Sequence, residues 1–290
     1  MSRVLSNLTT IINKYKKTTP TFARVSNILD NVLKPDHIAL RSFKSQGGIQ
    51  KVKQQFVCNN DYVSGGTMQI PKKNLSAEWL YTTKEDLIKV CPRIFISELD
   101  EKKLSHESQL ILSSYLDGNE NLVETQDDCE SCVMHVHSPK SLLNPTVSYK
   151  DFKLLSKESE YAAWTLLHKN NVNHLALSVP DLRQTLDELK SRFFHINQSG
   201  GEIKTSEDNM LHQGSTMSDP IEYPFREKNI MVPGYFVEFV QRDFDLHGKI
   251  REGFESNNAL HIFESTDINN NLNERLNDEM LTLIRNKIKK

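Results

Sequence analysis

Apolar and polar positions change period along this chain, from strict alternation to a spacing near 3.6, and each period marks a kind of element. Alternation picks out two short strands of nearly the same composition, DHIALRSF at Asp36 to Phe43 and NHLALSVP at Asn173 to Pro180, each with a histidine at its second position. A third strand, YFVEFV at Tyr235 to Val240, carries Glu238 amid apolar neighbours, and PRIFISELD at Pro92 to Asp100 and SAEWLYT are also extended. The helical period predicts helices over Leu8 to Lys17, Thr21 to Leu33, the stretch LSHESQLILSSYL and Lys153 to Lys169. A further helix starts at Pro180, with Leu182, Leu186, Leu189 and Phe193 on one face, and an amphipathic one closes the chain from Asn273 to Lys290. Phe43 to Lys73 is polar, and its pairs Gly47 and Gly48, then Gly65 and Gly66, predict turns.

The strands recur in order. Glu98 follows His37 by 61 positions (98 − 37) and Glu238 follows His174 by 64 (238 − 174), so each half opens on a histidine strand and closes on a glutamate strand. This order predicts an α+β fold of two duplicated βαβββ-like modules, forming a curved mixed sheet with helices packed outside. The modules cover approximately 30–100 and 170–267, with a helical and polar insertion at 101–169 and the terminal helix at 273–290, all within one catalytic domain of 1–290.

Two histidines and one carboxylate on three strands are the ligand set of a non-haem iron centre. Alternation puts His37, Ala39, Arg41 and Phe43 on one face, and His174, Ala176 and Ser178 on one face of the second copy. The alanines leave room beside both imidazoles. Glu238 shares a face with Phe236 and Val240, where a carboxylate costs several kcal/mol unless paired or metal-bound. Taken singly, either histidine reads equally well as a half-buried residue bonded to backbone, and Glu238 as a partner of Arg242 or Lys228; their joint appearance favours the metal reading. A fourth ligand would close positions that an oxygenase needs open, so Glu98 is expected either beside the site, as acceptor for an imidazole N–H, or as a structural residue.

Composition narrows the class. With 36 basic against 38 acidic side chains the 290-residue chain carries a net charge of −2, which provides no basic field for nucleic acid or an anionic membrane. No run of eighteen apolar residues and no charged-then-apolar leader occurs, so a cytoplasmic protein is expected; Lys14, Lys16 and Lys17 leave organelle import open. Four cysteines, Cys58, Cys91, Cys129 and Cys132, suit a reducing compartment. The segment CESCVMHVH offers Cys129, Cys132, His135 and His137 as a rival zinc motif, but its ligand pairs sit too close for a finger or ribbon and it follows an acidic, polar stretch, so a surface loop is the preferred reading.

The strings DHIALRSF, RIFISELD, NHLALSV, LHQGSTMSD, GYFVEFVQR and GFESNNALHIFEST together resemble the family once grouped as a domain of unknown function (DUF1338) and typified by 2-oxoadipate dioxygenase/decarboxylase, over roughly residues 30–267. The resemblance implies a vicinal-oxygen-chelate fold, an iron(II) triad at His37, His174 and Glu238, and Arg41 as the substrate-binding arginine. It further implies molecular oxygen as cosubstrate and a small 2-oxo dicarboxylic acid, 2-oxoadipate, converted to 2-hydroxyglutarate and carbon dioxide. Arg41 lies four residues beyond His37, about 13 Å along a strand, a span that suits a six-carbon diacid held at both ends. The stretch Leu211 to Asp219 borders the pocket by the same resemblance, with Gln213, Ser215 and Thr216 as further substrate contacts. Two other classes stay open: a glyoxalase-like isomerase or lyase, or ring-cleaving dioxygenase, on the same sheet, the isomerase recruiting Glu98 as a fourth ligand; and a non-enzymatic binder of small molecules or metal.

Overall fold

Helices α1 (Arg3–Thr18) and α2 (Pro20–Ile28) precede the first histidine strand, β1 (Lys34–Phe43). The computed structural model describes residues 3–29, 34–57, 62–88, 90–116, 146–169 and 171–267. Cys58, the motif Cys129, Cys132, His135 and His137, and the helix expected over 273–290 lie outside them. After β1 come α3 (Gly48–Val57), β2 (Val63–Ile70), β3 (Leu75–Tyr81), α4 (Glu85–Ile88) and β4 (Arg93–Leu99). Helices α5 (His106–Leu116), α6 (Tyr149–Glu158) and α7 (Glu160–His168) lead to β5 (Val172–Ser178), the second histidine strand. The rest is α8 (Leu182–Ser191), β6 (Lys204–Thr205), β7 (Leu211–Ser215), β8 (Pro220–Pro224), β9 (Asn229–Pro233), β10 (Phe236–Arg242) and α9 (Ser256–Ile262).

Eight strands form one mixed sheet in the order β2, β3, β4, β1, β5, β10, β7, β6, with β8 and β9 as a separate hairpin. The order is symmetric about the antiparallel β1–β5 pair. Each half pairs its first strand in parallel with its last, β1 with β4 and β5 with β10, and places a helix, α3 or α8, after the first strand. The duplication expected from the two histidine strands is therefore the architecture of the sheet, an α+β fold of the curved, vicinal-oxygen-chelate kind.

Both faces of the sheet are covered, which is why β1 and β5 are buried nearly throughout. On one face Ile38, Leu40, Ile94, Ile96, Leu175, Val237 and Phe239 pack against Tyr15, Phe22, Val52, Leu182 and Leu186 of the outer helices. On the other, Ala39, Phe43, Ala77, Phe95 and Leu99 meet Phe152, Tyr161, Ala162, Phe225 and Phe263 from α6, α7, the hairpin and the segment after α9. The histidines point into this second layer.

Local chemistry sets the helix boundaries, and it corrects several expectations. Pro20 stands at the first turn of α2, and Asp181 caps α8 by accepting the Gln184 N–H at 2.9 Å. The helix expected over Lys153 to Lys169 is split, because Ser159 ends α6 in an extended conformation and its hydroxyl accepts from Ala162 N to start α7. Gly48 opens α3, which its polar sequence had hidden. Gly65 and Gly66 lie inside β2, where the Trp79 ring comes within 2.4 Å of the place a Cβ on Gly65 would occupy, so only glycine fits under the indole. Phe193 falls beyond the end of α8 at φ +63° and is 87% exposed; Phe194 takes the buried place instead.

Candidate metal centre

Asp36 and Asn173 each interrupt a strand. Pro35 pairs with Leu177 and His37 with Ala176, which leaves Asp36 as the extra residue of β1; Ala39 pairs with His174 and Leu40 with Val172, which leaves Asn173 as the extra residue of β5. A bulge re-aims the side chain it carries. Both side chains turn onto the next residue: Asp36 Oδ1 lies 2.9 Å from His37 Nδ1 and Asn173 Oδ1 lies 2.9 Å from His174 Nδ1. With each Nδ1–H donated to an oxygen, each Nε2 presents a lone pair.

Those lone pairs converge. His37 Nε2 and His174 Nε2 are 3.3 Å apart, and Glu238 Oε2 lies 3.4 Å from the first and 3.0 Å from the second. All three residues are no more than 2% exposed, and among the described residues they are the one group of three or more His, Cys, Asp or Glu side chains close enough together to hold a metal ion. Adjacent ligands of an octahedral ion at about 2.1 Å are separated by about 3.0 Å, so this triangle has the size of one octahedral face. Three acceptor atoms facing one buried point repel each other until a cation joins them; the donor set fits a divalent metal.

The surrounding electrostatics favour positive charge at this point. Burial works against an imidazolium at His37, but Glu238 and Asp36 overcome it and raise its pKa. Burial instead holds His174 down at about 4. Burial disfavours the Glu238 carboxylate, yet the two histidines keep it well below its usual range. Asp36 is likewise held ionised against burial, by Arg242 first, whose Nε and second terminal nitrogen bond it at 2.8 and 3.0 Å. Phe254 closes the cluster, its ring edge-on to His37 at 4.9 Å, with Phe95 at 4.9 Å and the Arg242 guanidinium 5.2 Å from its centre. On its outer side lies an open groove lined by Gly65 to Gln69, Trp79, Asp208 and Arg251 to Ser256.

Other expected residues fall in different places. Gln213 Nε2 donates to Glu238 Oε1 at 2.7 Å, and Ser215 pairs with Glu238 across the strands while its hydroxyl meets Ser265 at 2.8 Å. Thr216 is corrected: its hydroxyl accepts the Val237 N–H at 3.2 Å and braces the back of β10, because it points opposite to Gln213 and Ser215. Arg41 shares the face of His37 and is 1% exposed, surrounded by Tyr161, Trp164 and Phe263. It donates to Glu160 Oε1 at 2.7 Å, Thr266 Oγ1 at 2.8 Å and Phe263 O at 3.4 Å, and its Nε–H has no partner among the described residues.

Glu98 takes the structural place and not the one beside the imidazoles. It accepts the Ile49 N–H at 2.8 Å at the start of α3, on the helix-covered face of the sheet, away from both imidazoles. The sequence spacing misleads because strand register, not residue count, relates the modules. Glu238 pairs with Ala176, two residues after His174; the corresponding place opposite Ala39, two residues after His37, belongs to Phe95. Phenylalanine occupies the position of a fourth ligand, which disfavours the four-ligand isomerase. The acceptors actually used, Asp36 and Asn173, immediately precede the histidines, an Asp-His and Asn-His signal that is legible in the sequence; nothing local to Arg242 or Phe254 points to Asp36 or His37.

The profile of the 2-oxoadipate dioxygenase/decarboxylase family matches residues 2–249. The chain belongs to that family. It is 31% identical over 257 residues to the chloroplastic/amyloplastic 2-oxoadipate dioxygenase/decarboxylase of Oryza sativa subsp. japonica, covering 80% of this chain and 68% of the relative. The crystal structure of the hydroxyglutarate synthase in complex with 2-oxoadipate from Oryza sativa superposes with a TM-score of 0.79 at 28% identity, covering 91% of this chain and 92% of that one. A glyoxalase superfamily protein from Ralstonia eutropha shares the fold, with a TM-score of 0.67 at 17% identity over 87% of this chain and 85% of that one. As a member of the family the chain is a 2-oxo acid dioxygenase/decarboxylase, and its buried triad is the candidate metal site.

Proposed function

We propose that this protein is an iron(II)-dependent enzyme that converts 2-oxoadipate and dioxygen to 2-hydroxyglutarate and carbon dioxide, with His37, His174 and Glu238 as its metal ligands. The observation that carries this reading is the triangle of two Nε2 atoms and one Oε2 with sides of 3.0 to 3.4 Å, buried in a chain of this family. Iron(II) held there would supply dioxygen activation and a coordination site for the 2-oxo acid. The protein's own part is positioning. Asp36 and Asn173 fix the imidazoles, Gln213 holds one oxygen of Glu238, and Phe95, Phe236 and Phe254 exclude water from the reacting groups.

Arg41 is the proposed anchor for the distal carboxylate, its unpartnered Nε–H offering a donor and Glu160 sharing the guanidinium. Gln213 and Ser215 border the substrate beside Glu238. The whole chain acts as one catalytic unit, since each module contributes a histidine and α7 of the insertion supplies Glu160. Among the described residues no helix is long and apolar enough to cross a membrane, and the plastid name of the rice relative makes organelle import a reading that fits as well as the cytoplasm.

The test is a panel of 2-oxo acids with iron(II), assayed in air and anaerobically. Oxygen uptake and carbon dioxide release with 2-oxoadipate, leaving 2-hydroxyglutarate, are expected. Turnover without oxygen would refute the dioxygenase, and oxygen use with a different acid would change the substrate.

A further inference from the structure

The orientation of two buried amides carries an inference that rests on the triad holding a divalent metal. Gln213 is 4% exposed, Asn258 is 1% exposed, and they lie in line with Glu238. Gln213 Nε2 donates to Glu238 Oε1 at 2.7 Å, and Gln213 Oε1 accepts from Asn258 Nδ2 at 2.9 Å. An amide has nearly the same shape in either orientation, so chemistry has to decide which end faces the carboxylate. Two acceptor-only groups decide it, the Glu238 carboxylate at one end and a backbone carbonyl at the other. Asn258 Nδ2 also donates to Lys204 O at 3.2 Å, and a carbonyl oxygen can only accept. That contact fixes Asn258, and Asn258 holds Gln213 Oε1 so that the NH2 of Gln213 stays against the Glu238 carboxylate. The reverse orientation would bring a carbonyl against the carboxylate and two NH2 groups together.

The consequence falls on the metal. With Oε1 held by Gln213, only Oε2 faces the two imidazoles, at 3.4 and 3.0 Å. A carboxylate that gives one oxygen leaves three octahedral positions open, enough for a bidentate 2-oxo acid and dioxygen; one that gives both leaves two. We infer that Asn258 is a positioning residue that, through Gln213, makes Glu238 a one-oxygen ligand. Asn258 is in α9, within GFESNNALHIFEST, so this segment reaches the metal through the glutamine.

A double-mutant cycle tests it by cobalt(II) titration of the metal-free full chain, comparing wild type, Asn258→Leu, Gln213→Leu and the double variant. Each single change should weaken cobalt(II) binding by about 10- to 100-fold, the range for lost ligand-orienting contacts, and the double variant should lose little more than the worse single one. Additive losses would overturn the relay. So would a lower melting temperature with unchanged affinity in Asn258→Leu, which would make the residue merely structural. If the leucine variant does not fold, Asn258→Ala takes its place in the same cycle. A wild type that binds no cobalt(II) would refute the triad itself, and with it the inference, in a measurement separate from the variants.

Discussion

Arg41 takes its charge into an almost wholly buried place and keeps it there with one carboxylate, one hydroxyl, one backbone carbonyl and three aromatic rings. A guanidinium tolerates such a site better than an ammonium, because it is weakly hydrated and planar and stacks on rings. If it anchors the distal carboxylate of a diacid, Arg41→Ala should raise KM for 2-oxoadipate by roughly 10- to 100-fold, more than it lowers kcat, as expected for losing a charge-assisted contact of about 1.5–3 kcal/mol. Arg41→Lys should rescue poorly, since a point charge replaces a fork. Steady-state kinetics on both variants, at saturating iron(II), check this. Unchanged KM in both would assign Arg41 to the Glu160 ion pair alone.

At the scale of elements, Glu98 and α3 show how a site-like residue serves a helix. The helix begins at Gly48 with φ +47°, and a Cβ there would lie 1.9 Å from Glu98 Oε2, so the glycine admits the carboxylate to the helix N-terminus. Glu98 accepts the Ile49 N–H, and an acid beside the positive end of a helix is worth about 0.5–2 kcal/mol. Glu98→Ala should therefore lower stability by about 1 kcal/mol while leaving the metal affinity of the triad unchanged. Chemical denaturation and cobalt(II) titration on the same variant separate the two roles. A loss of metal binding would restore Glu98 to the site.

For the molecule as a whole, acid stability follows from the second layer of the core. His168, the last residue of α7, is buried, bonds Pro233 O at 3.0 Å and lies tilted against the Trp164 ring; burial, aided by the charge of Arg41, pushes its pKa down to about 4 from 6.5. The unfolded chain thus binds more protons between those values, so stability is complete above about pH 6.5 and falls as the pH drops toward 4. The contribution at stake is up to about 3 kcal/mol. His168→Gln keeps a donor for Pro233 and removes the titration, so thermal melts of the metal-free protein should lose less stability from pH 7 to pH 5 in the variant than in wild type. Equal losses would place the acid sensitivity elsewhere.

Alternation by itself determined the histidine and glutamate strands and the duplication, and it brought His37, His174 and Glu238 forward as candidates, because a buried strand shows its facing residues at every second position. The pairing of modules belonged to tertiary structure. Register, which the sequence does not encode locally, put Phe95 and not Glu98 opposite Ala39, and two bulges turned Asp36 and Asn173 onto the imidazoles. The roles of Arg242 and Phe254 escape a linear reading for the same reason. Their partners lie on other strands, and their roles exist only once the sheet has closed over the site.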